Sequence, residues 1–321
     1  MTRAEPACRI TRVRAHGVAF DLYDDGDLPG LPCGGAGVSG PASAIWHDPA
    51  GIEERWDGAE PKRTREMQDG DRVLLTVDHD VERGYLLRAP GIGTVLVSED
   101  GLEVRCAPEL VAPDWQVLLI GQVLPLVSTL RGYEVFHAAG VVLGEHSYIL
   151  CAPPGVGKSS LAAHLVIAGA ALLSDDVVAL DDELIAHPGT TILYVRAPAP
   201  QCLSAQSPTG LRALGPVRDR LAFVAESPAC ARPLAGVYLL KRSAYKSRIE
   251  SVPFASPLSL LAATFNLSVQ TAARLTHHLD LCARLAEQVP IHSAHIVPGC
   301  DAAELAAAIW SHIGGRETVT V

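Results

Sequence analysis

A glycine-rich segment at residues 152–160 carries the clearest chemical signal in the sequence. It reads A-P-P-G-V-G-K-S-S and fits the phosphate-binding pattern: Ala or Gly, four residues of any kind, then Gly, Lys and Ser or Thr. Gly155 and Gly157 let the backbone turn so that its N–H groups point at phosphate oxygens. Lys158 supplies a full charge to the outer phosphates, and Ser159 can ligate Mg2+, so the segment predicts a site for ATP and Mg2+. The predicted phosphate-binding residues are Pro154, Gly155, Val156, Gly157, Lys158, Ser159 and Ser160.

Two adjacent carboxylates, Asp175 and Asp176, follow in the apolar run L-L-S-D-D-V-V. Neighbouring side chains on a strand point to opposite faces, so we expect the pair to divide two roles. One would orient and deprotonate an attacking hydroxyl, and the other would hold metal or a structural hydrogen bond. The alternative is a turn before the strand with two solvated aspartates.

His137 lies in the apolar run E-V-F-H-A-A-G, ahead of the glycine-rich segment. A lone histidine in such a strand is more often a hydrogen-bonded core residue than a catalytic group. A functional role for His137 is the less common alternative.

The elements that must position these residues follow from apolar periodicity. Glu134–Leu143 and Ser147–Cys151 read as two hairpin strands, Ser159–Ala168 as a helix, and Leu172–Leu180 as a returning strand. Further predicted elements are a helix at Asp114–Arg131, strands at Gly236–Leu240 and Ile249–Val252, and helices at Pro257–Phe265, Ser268–Gln288 and Asp301–Ile313. These predict an α/β unit over residues 113–321 with the phosphate loop near its start.

Residues 1–112 carry strand signals, which are short alternating runs separated by Gly, Asp and Pro turns. They predict a small β-rich N-terminal domain. Leu28–Gly40 is rich in Gly and Pro and is typical of a loop.

Composition excludes several classes of protein. Of the 321 residues, 48% are hydrophobic and 19% charged, which predicts a sizeable core. The net charge of −10 and the lack of a basic block argue against nucleic-acid binding. No apolar segment resembles a secretory signal or a membrane span, so a cytoplasmic protein without membrane contact is expected. Eight dispersed cysteines read as reduced thiols.

Three motifs taken together resemble a known family: H-A-A-G-V-V-L, A-P-P-G-V-G-K-S-S and L-L-S-D-D-V-V. They are similar in type and spacing to the kinase domain of HPr kinase/phosphorylase and its smaller relatives. The resemblance implies the fold shared with ATP-type phosphoenolpyruvate carboxykinases and an ATP-dependent serine kinase activity. By position, Asp175 would be the base, Asp176 a metal-side carboxylate, and His137 a partner of the phosphate or of the first aspartate.

The resemblance weakens outside these motifs. The family's glycine-rich signature with a further acidic metal ligand is replaced by H-P-G-T-T-I-L-Y-V-R-A-P-A. Its arginine loop is matched only by Arg218 and Arg220, which by this resemblance would be the catalytic arginines that contact the transition state. The chain is more similar to HPr-kinase-related proteins that phosphorylate a serine on a ribosomal precursor peptide, such as a lasso-peptide precursor, or free serine. A peptide or small-protein acceptor is therefore expected, captured by an exposed sheet edge of the N-terminal domain, and the family implies a homo-oligomer.

Two rival functions stay open. The chain could phosphorylate a small hydroxylated molecule such as free serine, or it could be a nucleotide-binding scaffold that phosphorylates nothing. Among the other histidines, the His277-His278 pair with Asp280 is a weak metal candidate, because adjacent helical residues point apart. His292 and His295 are predicted to lie on the surface.

Overall fold

The chain forms two compact units, Met1–Tyr133 with Asn266–Gln270 and Glu134–Phe265 with Thr271–Val321. The computed structural model describes residues 10–23, 28, 30–31, 40–109, 114–196, 210–217, 220–226, 230–243, 248–252, 256–265, 268–297 and 302–317. The boundary expected at residue 112/113 differs from this division, because the helical segment after residue 113 packs into the first unit's core. The fold is mixed α/β with several sheets.

The first unit is built on an eight-stranded sheet with the order β1-β2-β3-β8-β7-β6-β5-β4. Its strands are β1 (Ile10–Ala15), β2 (Val18–Tyr23), β3 (Ser43–His47), β4 (Lys62–Asp69), β5 (Arg72–Asp80), β6 (Gly84–Ala89), β7 (Gly93–Val97) and β8 (Glu103–Pro108). Its helices are α1 (Pro49–Trp56), α2 (Asp114–Leu118) and α3 (Leu124–Leu130), with a π-helical turn (Leu119–Val123) between the last two.

Helices cover both faces of this sheet. The helical segment from α2 to α3 buries Val123, Leu124 and Val127 in the main core, while α1 packs Ile52 against a smaller cluster on the sheet. No helix was predicted at α1, although its signal was present. Asp48 caps the helix by accepting a hydrogen bond from an early backbone N–H, and a proline follows at the first helical position.

The second unit contains a nine-stranded sheet and a separate three-stranded sheet. Its strands are β9 (Glu134–Phe136), β10 (Ala138–Leu143), β11 (His146–Cys151), β12 (Ala171–Ser174), β13 (Val178–Leu180), β14 (Ile185–His187), β15 (Ile192–Arg196), β16 (Leu211–Val217), β17 (Arg220–Ala225), β18 (Arg232–Arg242), β19 (Arg248–Ser251) and β20 (Ile291–Ile296). Its helices are α4 (Lys158–Ile167), α5 (Pro257–Leu261), α6 (Ala272–Gln288) and α7 (Ala302–Glu317). The larger sheet runs β12-β10-β11-β18-β14-β13-β9, with β20 paired to β18 and β19 paired to β20. The smaller runs β15-β17-β16.

The larger sheet is buried on both faces, which explains why its central strands are continuously apolar in sequence. Along β11, Tyr148 and Leu150 join the cluster that includes α4 and α7, whereas Ile149 and Cys151 join the cluster that includes α5 and α6. Strand β11 is thus held between two helical layers, and the segment that leaves its carboxyl end starts from a rigid support.

Several predicted boundaries are wrong. The strands predicted at Glu134–Leu143 and Leu172–Leu180 are each broken, and the helix predicted from Pro257 ends at Leu261. His292 is fully buried inside β20 and is not a surface residue, because β20 pairs with both β18 and β19. Among the described residues, no helix is long and apolar enough to cross a membrane.

Candidate active site

The glycine-rich segment connects the end of β11 to the start of α4. Gly155 and Gly157 have φ of 78° and 109°, in the left-handed region that only glycine adopts without strain. This conformation presents the first N–H groups of α4, which have no partner within the helix, to an anion. The predicted strand, loop and helix are all present. The binding of phosphate by Pro154 to Ser160 stays a prediction.

Lys158 and Ser159 begin α4 and point in different directions. Lys158 is buried and its Nζ donates a hydrogen bond to the Ala152 carbonyl at 2.9 Å, so the side chain folds back over the loop. Burial lowers the pKa of Lys158, and the charges of Asp176 and Asp175 partly oppose this shift. Ser159 Oγ donates a hydrogen bond to Asp175 Oδ1 at 3.0 Å.

His137 and the aspartate pair meet because two strands break at the same level of the sheet. In the first segment, β9 gives way to β10 at His137. In the second, β12 ends just before Asp175 and Asp176, and β13 follows them. Gly140 pairs with Ser174 on one side of the break, and Phe136 pairs with Val178 on the other. Asp175 and Asp176 therefore lie in the break and not within a strand. The prediction that strand alternation sends their side chains to opposite faces is wrong.

Backbone conformation separates them instead. Asp176 has a φ of 68°, unusual for a residue other than glycine, and its side chain is 56% exposed. His137 Nδ1 lies 3.3 Å from Asp176 Oδ1 and 3.1 Å from the Asp176 carbonyl oxygen. The structure thus brings His137 to the second aspartate, where the resemblance implied the phosphate or the first.

Asp175 is 2% exposed and is held by several hydrogen bonds. Its carboxylate accepts from Ser159 Oγ and from the backbone N–H groups of Asp176 and Tyr194. Burial, followed by the negative charge of Asp176, raises the pKa of Asp175 to about 7, and those hydrogen bonds reduce the shift. A buried carboxylate with a raised pKa beside a glycine-rich loop and a helix N-terminus is typical of functional sites.

Tyr194 is a site residue that the sequence did not single out. It lies in β15, within the segment that replaces the family's glycine-rich signature, and its backbone N–H reaches Asp175. Burial raises the pKa of the Tyr194 phenol, the charge of Asp175 adds to this, and Arg220 opposes it. Arg220 begins β17, which pairs with β15 in the smaller sheet, so its charge acts on Tyr194. Arg218 lies outside the described residues.

A second missed residue, Arg242, ends β18. Its Nη2 donates a hydrogen bond to the Gly155 carbonyl oxygen at 3.3 Å. No motif marks this arginine, since only the pairing of β11 with β18 brings it beside the loop.

A buried charged cluster supports the strand that leads to His137. Glu134 is 1% exposed; its Oε2 lies 2.5 Å from His278 Nδ1 and 2.7 Å from Arg274 Nη2. His278 Nε2 also lies 2.6 Å from Thr264 Oγ1. His278 therefore joins α6 to β9 by hydrogen bonds and is not a metal ligand with Asp280. No group of three His, Cys, Asp or Glu residues with metal-binding geometry occurs in the described part of the chain.

The donors beside the loop fit magnesium. Mg2+ prefers oxygen ligands at about 2.0–2.1 Å in an octahedron, which separates neighbouring ligands by about 3 Å. Ser159 Oγ and Asp175 Oδ1 are 3.0 Å apart. A hydroxyl and a single carboxylate are few protein ligands, as expected for Mg2+ held largely by phosphates and water.

No protein-family model matches the chain, and no curated protein matches it in sequence. Among solved structures, the Hpr(Ser) kinase/phosphatase from Coxiella burnetii is similar at 14% identity and a TM-score of 0.30. That alignment covers 58% of this chain and 93% of the other. A likeness this weak supports neither a fold family nor an activity.

Proposed function

We propose that the chain is a Mg2+- and ATP-dependent kinase that transfers phosphate to a serine hydroxyl on a peptide or small protein. One observation carries the proposal: a phosphate-type loop and two separately held carboxylates occupy one site, with Asp175 bonded to Ser159 and Asp176 beside His137. A nucleotide-binding scaffold would use the loop and one carboxylate. The second, exposed carboxylate favours a site that also meets an acceptor.

We further propose that the two aspartates exchange the roles expected from the sequence. Asp175 is almost fully buried and accepts a hydrogen bond from Ser159 Oγ, which favours the magnesium side. Asp176 is exposed and lies beside His137, which favours the acceptor side. The acceptor oxygen would form a bond to the terminal phosphorus, the bond from that phosphorus to the bridging oxygen would break, and Asp176 would take the proton.

The other residues of the site would bind and orient. Lys158 and the N–H groups at the start of α4 would hold the phosphates, and Ser159 and Asp175 would hold Mg2+. When bound, the ion neutralises charge on the phosphates. His137 would orient the Asp176 carboxylate, with which it is in contact.

The decisive experiment offers labelled ATP with three acceptors: a serine-containing peptide encoded near this chain's gene, free serine, and no acceptor. Label on the peptide serine supports the proposal. Label on free serine alone moves the acceptor to a small molecule, and ATP binding without any labelled acceptor supports the scaffold and contradicts a kinase.

The exchange of roles has its own test. Asp176→Asn should lower kcat while MgATP affinity, measured by calorimetry, stays unchanged. Asp175→Asn should raise the Mg2+ concentration needed for half-maximal ATP binding. If the two variants show the opposite pattern, Asp175 is the base and the exchange is wrong.

A further inference from the structure

Strand β18 extends past the end of its neighbour toward the phosphate loop. The two strands are parallel, and Cys151, the last residue of β11, pairs with Leu239. Beyond that pair, β11 turns away into the loop, whereas β18 continues to Arg242. The pairing therefore carries the end of β18 alongside the glycine-rich segment.

Arg242 contacts the loop on its exposed side. Its Nη2 donates to the Gly155 carbonyl oxygen at 3.3 Å, and Gly155 is itself exposed and in the left-handed conformation. A guanidinium has five N–H donors in a planar fork, of which this contact uses one. Such a fork suits phosphate oxygens because it can donate to two of them at once.

The charge around the loop gives this arginine a role. Lys158 reaches the loop from α4 with a buried side chain, and the carboxylates of Asp175 and Asp176 lie close enough to influence its charge. The chain as a whole carries a net charge of −10. A triphosphate entering this site would meet two nearby carboxylates, so a second cationic side chain beside the loop would add to Lys158 in offsetting the repulsion.

We propose that Arg242 binds the phosphate chain of the nucleotide, so that the loop holds it between Lys158 from α4 and Arg242 from β18. This inference rests on the proposed function. It adds a phosphate-binding residue that comes from a strand of the sheet and lies outside the loop motif.

Calorimetric MgATP affinities of Arg242→Gln, Arg242→Lys and the wild-type chain test the proposal. Arg242→Gln removes the charge and keeps a polar N–H donor on a shorter side chain, whereas Arg242→Lys keeps the charge and removes the planar fork. We expect Arg242→Gln to weaken binding about tenfold, the value of one charge-assisted hydrogen bond, and Arg242→Lys to weaken it less. Arg284→Gln is the matched control, because Arg284 Nη1 also donates to a backbone carbonyl, that of Asp182 at 2.5 Å. It should bind as the wild type does.

Salt dependence adds a second readout. Exposed charges are screened by salt, so rising KCl should weaken MgATP binding more steeply for the wild type than for Arg242→Gln. If Arg242→Gln binds as Arg284→Gln does, or has the wild-type salt dependence, Arg242 only supports the loop and the inference is overturned. A wild-type chain that binds no MgATP would instead contradict the proposed function.

Discussion

Among the described residues of the second unit, two carboxylates are almost fully buried, Glu134 at 1% and Asp175 at 2% exposure, and they are held in opposite ways. Glu134 contacts the guanidinium of Arg274 and the ring of His278 at 2.7 and 2.5 Å. Asp175 receives hydrogen bonds from a hydroxyl and backbone N–H groups, and its neighbour is another carboxylate. A cationic partner compensates the first, whereas a like charge opposes ionisation of the second.

If the proposed function is correct, the difference separates a structural carboxylate from a functional one. Burial of an ion costs several kcal/mol, which a well-placed partner can offset. Glu134 has such a partner and joins β9 to α6. The surroundings of Asp175 favour its protonated, neutral form and raise its pKa to about 7. A bound cation would instead favour the ionised carboxylate. Burial of Asp175 without a cationic partner thus costs free energy of folding, which a bound cation would offset.

The largest expected effect is on turnover. Asp175→Asn removes a proposed Mg2+ ligand, so at limiting Mg2+ it should lower the rate of phosphate transfer about a thousandfold, while the folded structure persists. Initial rates of phosphate transfer and circular dichroism of the same sample measure both. Glu134→Gln provides the contrast, because its remaining folded molecules should turn over within a few-fold of the wild type. Equal losses of turnover in the two variants would remove the distinction.

The next effect is on stability, and here Glu134 is expected to matter more than Asp175. Glu134→Gln leaves the Arg274 guanidinium buried without its anion, which should cost about 3 kcal/mol. The urea midpoint of the second unit's transition should fall accordingly. Asp280→Asn is the control. Asp280 is an exposed carboxylate on α6, the helix that carries Arg274, and its substitution should leave the midpoint unchanged. A midpoint for Glu134→Gln equal to that of the control would show that the ion pair contributes nothing.

The sequence predicted the strand, the glycine-rich segment and the helix that follow one another at residues 146–167, because their signals lie in contiguous residues. Glycines that need positive φ, a lysine and a serine at fixed spacing can be read directly, and so can the strand and helix on either side. His137 and the aspartate pair could also be named from their residue types. Their pairing in space could not, because it depends on two strand breaks at one level of the sheet.

Site residues that strand pairing places beside the loop or beside Asp175 from distant parts of the chain could not be predicted from the sequence. Tyr194 and Arg242 occur in ordinary apolar strands, and only β15 and β18 place them near Asp175 and Gly155. Glu134 and His278 are far apart in the chain, and an apolar pattern gives no reason to pair them. Domain division failed similarly, because the helical segment after residue 113 has no local sign of which core it will join.

A smaller effect concerns pH. The pKa of Asp175 is raised from 3.8 to about 7 on folding, so its contribution to stability is present at low pH and is lost as pH rises through the folded pKa. Between about pH 5 and pH 8 the wild type should lose on the order of 2 kcal/mol relative to Asp175→Asn. Urea unfolding of both proteins at the two pH values measures the difference. A gap independent of pH would mean that Asp175 ionises as an exposed carboxylate does.

The smallest effect tests the outer part of the Glu134 cluster. Thr264 Oγ1 lies 2.6 Å from His278 Nε2 and donates to the Leu261 carbonyl at 2.6 Å. Thr264→Val keeps the side-chain shape and removes both hydrogen bonds, so it should lower stability by about 1 kcal/mol. Thr276→Val, at an exposed position of α6, is the control and should change stability little. If Thr264→Val matches this control, the ion pair alone holds His278, and the cluster ends at Glu134 and Arg274.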